Sequence, residues 1–215
     1  LYKIKLHEPT RVLNSYKYII MGKNHKWILY TDRKVCENIK DYPNVRAHFD
    51  KYQSIITSDN KPYGLHRPRV EEQFKGTKIL SLRMTREPSF TLAEQDTYVT
   101  RAYLTIKLND LSYKYALALF NSKLFYYWLF HMGKRKGKQL QVDQAQLSEL
   151  PIYVSSADKQ KLLEDNIETL RNRLLEGIDS EELIAKIDRM VYDLYELDDS
   201  EIAKVEAFVE AQRAL

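Results

Sequence analysis

The chain has 215 residues, enough for one large domain or two small lobes. Its 44% hydrophobic and 30% charged residues, with only six glycines and six prolines, exclude a disordered or low-complexity polymer and suit a packed core. One cysteine, Cys36, excludes an internal disulfide and suits a reducing, cytoplasmic setting.

The net charge of +4 hides a segregation. Residues 1–157 carry 26 Lys/Arg against 14 Asp/Glu, and residues 158–215 carry 8 against 16. A net +12 suits a polyanion such as nucleic acid. A net −8 repels one. The chain therefore divides into a basic lobe, 1–157, and an acidic helical lobe, 158–215.

In chain order, residues 16–21 and 27–31 are aromatic and β-branched, with Gly22 to His25 as a turn between them. Pro43 opens a helix whose Val45, Phe49, Tyr52 and Ile56 recur at helical spacing and predict one buried face. Residues 57–77 are punctuated by Pro62, Gly64, Pro68 and Gly76 and read as a loop. Short strands are expected at 78–83, 89–92, 98–101 and 103–107. In the first, alternation gives two faces, and Arg83 need not face the core.

One apolar helix is predicted from Ser112 to His131. It is the most hydrophobic part of the chain, but Asn121, Ser122 and Lys123 interrupt it and it falls short of the ~20 apolar residues of a membrane span, so it reads as a central core helix. A basic glycine-flanked loop follows at 133–138, then an extended 139–142. Asp143 with Gln146 forms a capping box for a short helix ended by Pro151. Three amphipathic helices close the chain. They are opened by Ser155/Asp158, Ser180 and Asp198/Glu201, with Gly177 as a stop and with Leu163, Ile167, Leu170, Leu174, Leu183, Ile187, Met190, Leu194, Ile202, Val205 and Val209 facing inward. The fold class is α+β: a small antiparallel sheet lobe, a central apolar helix and a C-terminal helical lobe.

Catalytic motifs are missing from the sequence. No two prolines are adjacent, so the Asn/Asp-Pro-Pro-aromatic motif of amino-methyltransferases is absent, and there is no Gly-x-Gly for a dinucleotide or S-adenosylmethionine. Gly133 to Lys138 is not a phosphate loop: three residues separate its glycines and Gln139 follows the lysine. The five histidines share no metal-ligand spacing, and His131 reads as a helix-end cap. Cys36 reads as an inert packed thiol. Asp59-x-Lys61 is a tripeptide that nucleases use, but it sits in a turn-rich loop and carries little weight.

The cations carry the function. Lys134, Arg135, Lys136 and Lys138 fall within five residues, and each can displace a counterion from one phosphate. Gln139 and Gln141 follow, and a glutamine amide can pair with an adenine edge. Arg67, Arg69, Arg83, Arg86 and Arg101 supply forked donors suited to phosphate or guanine.

The segment YALALFNSKLFYYW at 115–128, followed by the basic loop and LSELPI at 147–152, resembles the TaqI-like C-terminal specificity domain of adenine-specific DNA methyltransferases and fused type IIG restriction enzymes. WILYTD (27–32) with YPNVRAHFDKY (42–52) is similar to the family's strand and helix. KILSLRMTREPSFTLAEQDTY (78–98) is similar to its central strands, and MVYDLYELDDSEIAKVE (190–206) to its closing helices. The resemblance implies a target-recognition module that grips double-stranded DNA in the major groove. A separate N-terminal methyltransferase domain would hold S-adenosylmethionine and flip the target adenine. The chain itself is expected to need no cofactor and to have no catalytic site or membrane contact. The alternatives are half of a type I specificity subunit, a standalone nuclease, or a protein-interaction module without DNA binding.

Overall fold

The computed structural model describes residues 4–7, 18–20, 25–55, 63–64 and 68–214. The first two strands, β1 (Ile4–His7) and β2 (His25–Ile28), pair antiparallel with Ile4 opposite Ile28. The second strand starts two residues before the expected 27–31. The strand expected at 16–21 is not formed where it is described: Tyr18 makes an isolated parallel bridge to Thr91, Ile19 and Ile20 belong to no strand, and Gly22 to Asn24 of the expected turn lie outside the described residues. Asp32 caps α1 (Arg33–Glu37) by accepting from the Val35 amide at 2.9 Å. Cys36 is half-buried beside the Thr31 carbonyl, and burial raises its thiol pKa, which disfavours the reactive thiolate.

Helix α2 (Pro43–Asp50) does begin at Pro43, but its buried face is smaller than the spacing predicts. Val45 is buried and Phe49 half-buried, whereas Tyr52 is exposed and Ile56 lies outside the described residues. The helix ends at Asp50, so Tyr52 no longer shares its face.

A three-stranded antiparallel sheet places β3 (Lys78–Leu82) between β5 (Phe90–Ala93) and β6 (Tyr103–Ile106). Both of its faces are covered. Ile79, Phe90, Leu92 and Leu104 join the main core, while Leu80, Ala93 and Tyr103 meet Phe74, Tyr98 and Val99 on the other side. Residues 98–101 carry an isolated bridge at Tyr98 and no strand, because Tyr98 and Val99 plug that second face instead. At Arg83 the chain changes sheets. The Arg83 N–H donates to the Ala102 carbonyl at 2.8 Å and its carbonyl accepts from the Val142 N–H at 2.8 Å. Beyond it, β4 (Met84–Thr85) joins a second sheet ordered β4-β8-β7, with β7 at Lys134–Lys136 and β8 at Gln139–Gln141. The expected basic loop is therefore a β-hairpin.

The single predicted core helix is two helices, α3 (Tyr113–Asn121) and α4 (Lys123–Met132), parted at Ser122 in extended conformation (φ −67°, ψ 153°). The apolar pattern runs through the break, but the polar residues make it. Asn121 is buried; its Nδ2 donates to the Phe90 carbonyl and its Oδ1 accepts from the Phe90 N–H, both at 2.9 Å. Ser122 Oγ donates to the Leu119 carbonyl at 2.7 Å and accepts from the Phe125 N–H at 3.2 Å, closing one helix and opening the next. Buried Asp188 accepts from the Lys123 N–H at 2.9 Å, and Lys123 Nζ reaches Glu206 at 2.6 Å. The three residues that interrupt the hydrophobic run are thus the joint between the sheet and the helices. His131, in the last turn of α4, packs against Tyr127 with the ring centroids 4.4 Å apart and the planes tilted by 48°, and the Leu129 carbonyl is bonded by the Gly133 amide rather than by the imidazole.

The capping box of Asp143 and Gln146 opens α5 (Gln144–Ser148) as expected. The closing helices are α6 (Ala157–Leu175), α7 (Glu181–Leu194) and α8 (Asp199–Arg213). Ser156, one residue after the expected Ser155, precedes the first; Ser180 precedes the second, and the Asp198–Glu201 capping box opens the third. Leu163, Ile167, Leu170, Ile187 and Val191 share one cluster with Ile79, Phe90 and Tyr115, so the basic and acidic parts have a common core. Among the described residues, ion pairs that cross between them include Lys114–Glu168 (2.9 Å), Arg171–Glu94 (2.7 Å), Lys123–Glu206 (2.6 Å) and Arg213–Glu87 (2.9 Å). No helix among the described residues is long and apolar enough to cross a membrane.

These buried polar groups can be tested through stability. Asn121→Ala leaves the Phe90 N–H without its partner and opens a small hole, so chemical denaturation is expected to show a loss of about 2–3 kcal/mol. Asn121→Asp is expected to be at least as damaging, because a carboxylate cannot donate to the Phe90 carbonyl.

Lys78 is fully buried, with Nζ bonded to the Gly76 and Gln95 carbonyls at 2.7 Å each. Burial, helped by Lys107, pushes its pKa down to about 8 against an ordinary 10.5. Between these values the unfolded chain holds a proton that the folded one has lost, so Lys78 disfavours folding below pH 8 and this penalty is relieved as pH rises toward 10.5. In urea titrations at about pH 7 and about pH 9.5, the stability of wild type relative to Lys78→Met is expected to rise with pH. A difference that stays flat refutes this assignment.

Candidate nucleic-acid interface

The site is built on the hairpin. Gly133 turns the chain out of α4 with its N–H on the Leu129 carbonyl at 2.8 Å; a Cβ here would stand 2.3 Å from that oxygen, so only glycine fits. Gly137 takes φ +61° at the first of the two turn positions, the glycine-requiring place in a type II′ hairpin. The register pairs Lys134 with Gln141, Arg135 with Leu140 and Lys136 with Gln139.

Strand alternation then sorts the basic run. Lys134, Lys136, Gln139 and Gln141 share one face, joined by Met84, which pairs with Gln141. Arg135 and Leu140 take the other. Leu140 is buried with Tyr126 and Val209, and the Arg135 guanidinium lies 4.5 Å over the Phe130 ring.

The first face borders an open groove of about 910 Å³ lined by Arg69, Arg83, Met84, Arg101, Lys136, Gln139, Gln141 and Asp143. These come from four separate stretches of chain. Arg69 precedes a 3-10 turn at Glu71–Phe74; its guanidinium donates to the Thr100 carbonyl at 2.7 Å and the Tyr103 carbonyl at 3.4 Å, and lies 5.3 Å over Phe74. The Tyr30 hydroxyl donates to the Arg69 carbonyl. Burial lowers the pKa of Arg69, and the neighbouring charges of Arg83 and Arg101 lower it further. Arg83 stands at the junction of the two sheets with its guanidinium 3.4 Å from Asp143, and Gln141 Nε2 donates to the other oxygen of Asp143 at 2.5 Å. Three guanidiniums and an ammonium thus face one carboxylate, a balance that favours an anionic ligand.

A second hollow of about 270 Å³ lies against the opposite face, lined by Arg86, Tyr126, Phe130, Arg135, Gly137, Lys138, Leu140 and Gln212. The fold therefore gathers Arg69, Arg83, Arg101, Lys136, Gln139 and Gln141 into the groove and sends Arg86, Arg135 and Lys138 to the second hollow. Lys134 is exposed on the groove-side face of the hairpin without lining the groove. Arg67 lies outside the described residues, as do Asp59 and Lys61.

Met84 and Asp143 also line the groove, and neither stands out in the sequence as a binding residue. The signal for Asp143 is its spacing of two from Gln141, overshadowed by its role as a helix cap. Among the described residues no cluster of three or more His, Cys, Asp or Glu is placed to hold a metal ion.

A family model for the TaqI-like C-terminal specificity domain matches residues 8–152. That match reaches further toward the N-terminus than the resemblance from Trp27 onward, and it stops before the acidic helices. No curated protein matches the chain. Among solved structures, the Type IIL restriction-modification enzyme MmeI, determined in complex with DNA, superposes with a TM-score of 0.67 at 14% identity, over 99% of this chain and 31% of that one. The likeness shows a shared fold that includes the helical lobe, and this chain spans about a third of that enzyme's length. With the family model covering well over half of its residues, the chain belongs to the TaqI-like C-terminal specificity domain family.

Proposed function

We propose that the chain reads DNA sequence for a restriction–modification enzyme, with the groove between the two sheets as its contact surface. The observation that carries this reading is the convergence of Arg69, Arg83, Arg101, Lys136, Gln139 and Gln141 on one groove from distant parts of the sequence. Exposed Arg101, Lys134 and Lys136 take phosphates and set register, and the less exposed Gln141 and Arg83 face base edges. A two-stranded hairpin is narrow enough to enter the major groove of duplex DNA. The structural likeness to MmeI, solved with DNA, supports the same use.

The finer parts of the proposal come from the family. The parent would be a cytoplasmic adenine-specific DNA methyltransferase, of the type IIG kind where a nuclease is fused to it. Its N-terminal methyltransferase domain would bind S-adenosylmethionine and flip the adenine while this chain holds the duplex. The chain supplies no glycine-rich fingerprint for that cofactor. A type I specificity subunit is less favoured. Its helices serve as long spacers, whereas α6, the longest among the described residues at 19 residues, is packed into the core and stops at Gly177.

Binding to mixed-sequence duplex DNA is expected to weaken steeply with salt. Replacing Arg101, Lys134 and Lys136 together by alanine is expected to flatten the slope of log affinity against log salt by up to about 3, close to one for each phosphate no longer neutralised. Arg135→Ala alone is expected to change it by no more than about 1. Salt-insensitive binding, or none at low salt, refutes the DNA reading and favours a protein-docking role.

A further inference from the structure

The groove holds one carboxylate among its cations, and that carboxylate determines what a neighbouring amide can recognise. Asp143 accepts from Gln141 Nε2 at 2.5 Å through one oxygen, while the other lies 3.4 Å from Arg83. A carboxylate is an acceptor only. The NH2 end of Gln141 must therefore face Asp143, and the amide cannot turn over without opposing two oxygens. This leaves one N–H and the Oε1 of Gln141 side by side for a ligand, one donor and one acceptor.

In the major groove, adenine presents the complement: an acceptor at N7 beside a donor at N6. Guanine presents two acceptors and cannot satisfy Oε1. Met84, the cross-strand partner of Gln141 on the same face, adds an apolar surface within reach of a thymine methyl group. Gln139 lines the same groove, but it is exposed beside the hairpin turn, away from the Asp143 carboxylate that orients Gln141.

We infer that Gln141 reads an adenine in an A·T pair, with Asp143 as its positioning residue and Met84 against the thymine methyl. This rests on the DNA-reading function proposed above and names one base pair of the recognised site.

The test is selection of bound duplexes from a randomised pool, using the chain itself and its variants. Wild type is expected to enrich a motif in which Gln141→Ala removes the preference at one A·T position, by about tenfold or more, and leaves the others. Gln139→Ala is expected to keep that position. Asp143→Asn is the discriminating variant. Arg83 holds the new amide's oxygen, so its NH2 faces Gln141 and turns that side chain over. Gln141 then presents its donor and acceptor in reversed order, and the adenine preference at the same position is expected to be lost. Asp143→Ser keeps a helix cap and is expected to lose the adenine preference as well. In the selected site, deoxyuridine in place of that thymidine is expected to weaken wild type and not Met84→Ala.

A motif unaltered by Gln141→Ala, or an adenine preference retained by Asp143→Asn with the fold intact by circular dichroism, overturns the assignment. Salt-dependent binding with no enriched motif also overturns it while leaving DNA binding in place. Absence of any binding overturns the proposed function and this inference together.

Discussion

A buried amide that joins a helix to a sheet must satisfy a donor and an acceptor at once, and Asn121 does this by bonding both the N–H and the carbonyl of Phe90. The rest of the architecture hangs on this clasp. It seats the C-terminus of α3 on the outer strand β5 and puts the chain in the right place for Ser122 to end one helix and begin another. The redirected α4 carries Tyr126 and Phe130 to the underside of the hairpin, where Leu140 and Arg135 rest on them. Helix α8 fills the same place from the other side with Val209 and Phe208, and the Arg213–Glu87 pair ties its end to the segment after β4. A three-residue polar interruption thus fixes a groove built from residues far from it in sequence.

The charge segregation survives folding, and among the described residues the ion pairs named between the lobes are balanced. Two of them spend cations of the basic part on acids of the helical part, and two do the reverse. Neither excess is consumed. The helical lobe can therefore buttress the sheets through shared core and paired charges, with Asp188 buried at the Lys123 amide and most of its other acids outward. In the groove the cations are left close to one another, and the lowered pKa of Arg69 records the cost of holding it half-buried near Arg83 and Arg101. A polyanion relieves that cost on binding.

Helix ends are the most legible part of the sequence, because caps are local chemistry: Asp143 with Gln146 and Asp198 with Glu201 act where their spacing places them. The break at Ser122 is hidden by an apolar pattern that continues through it, since both helices bury most of their surface. The hairpin reads as a loop because Leu140 is its one buried residue and a strand whose outer residues are all charged shows no hydrophobic alternation. The candidate site is legible as a set of basic residues and not as a place. Neighbours in sequence such as Arg135 and Lys136 end on opposite faces through the period of two, while Arg69, Arg83 and Arg101 meet only because the chain changes sheets at Arg83.

Gripping a phosphate backbone and reading a base make opposite demands on such a groove. Gripping needs only positive charge, and a carboxylate placed there works against it by roughly what one cation contributes. Arg83 offsets that charge, so Asp143 costs little in net field, yet it still dictates the direction of the hydrogen bonds beside it. Reading requires this kind of directional constraint, because a free amide can rotate to suit adenine or guanine alike, and an amide held at one end cannot. On the DNA-reading function proposed above, the acid among the cations is therefore what would separate a surface built to discriminate from one built merely to attract.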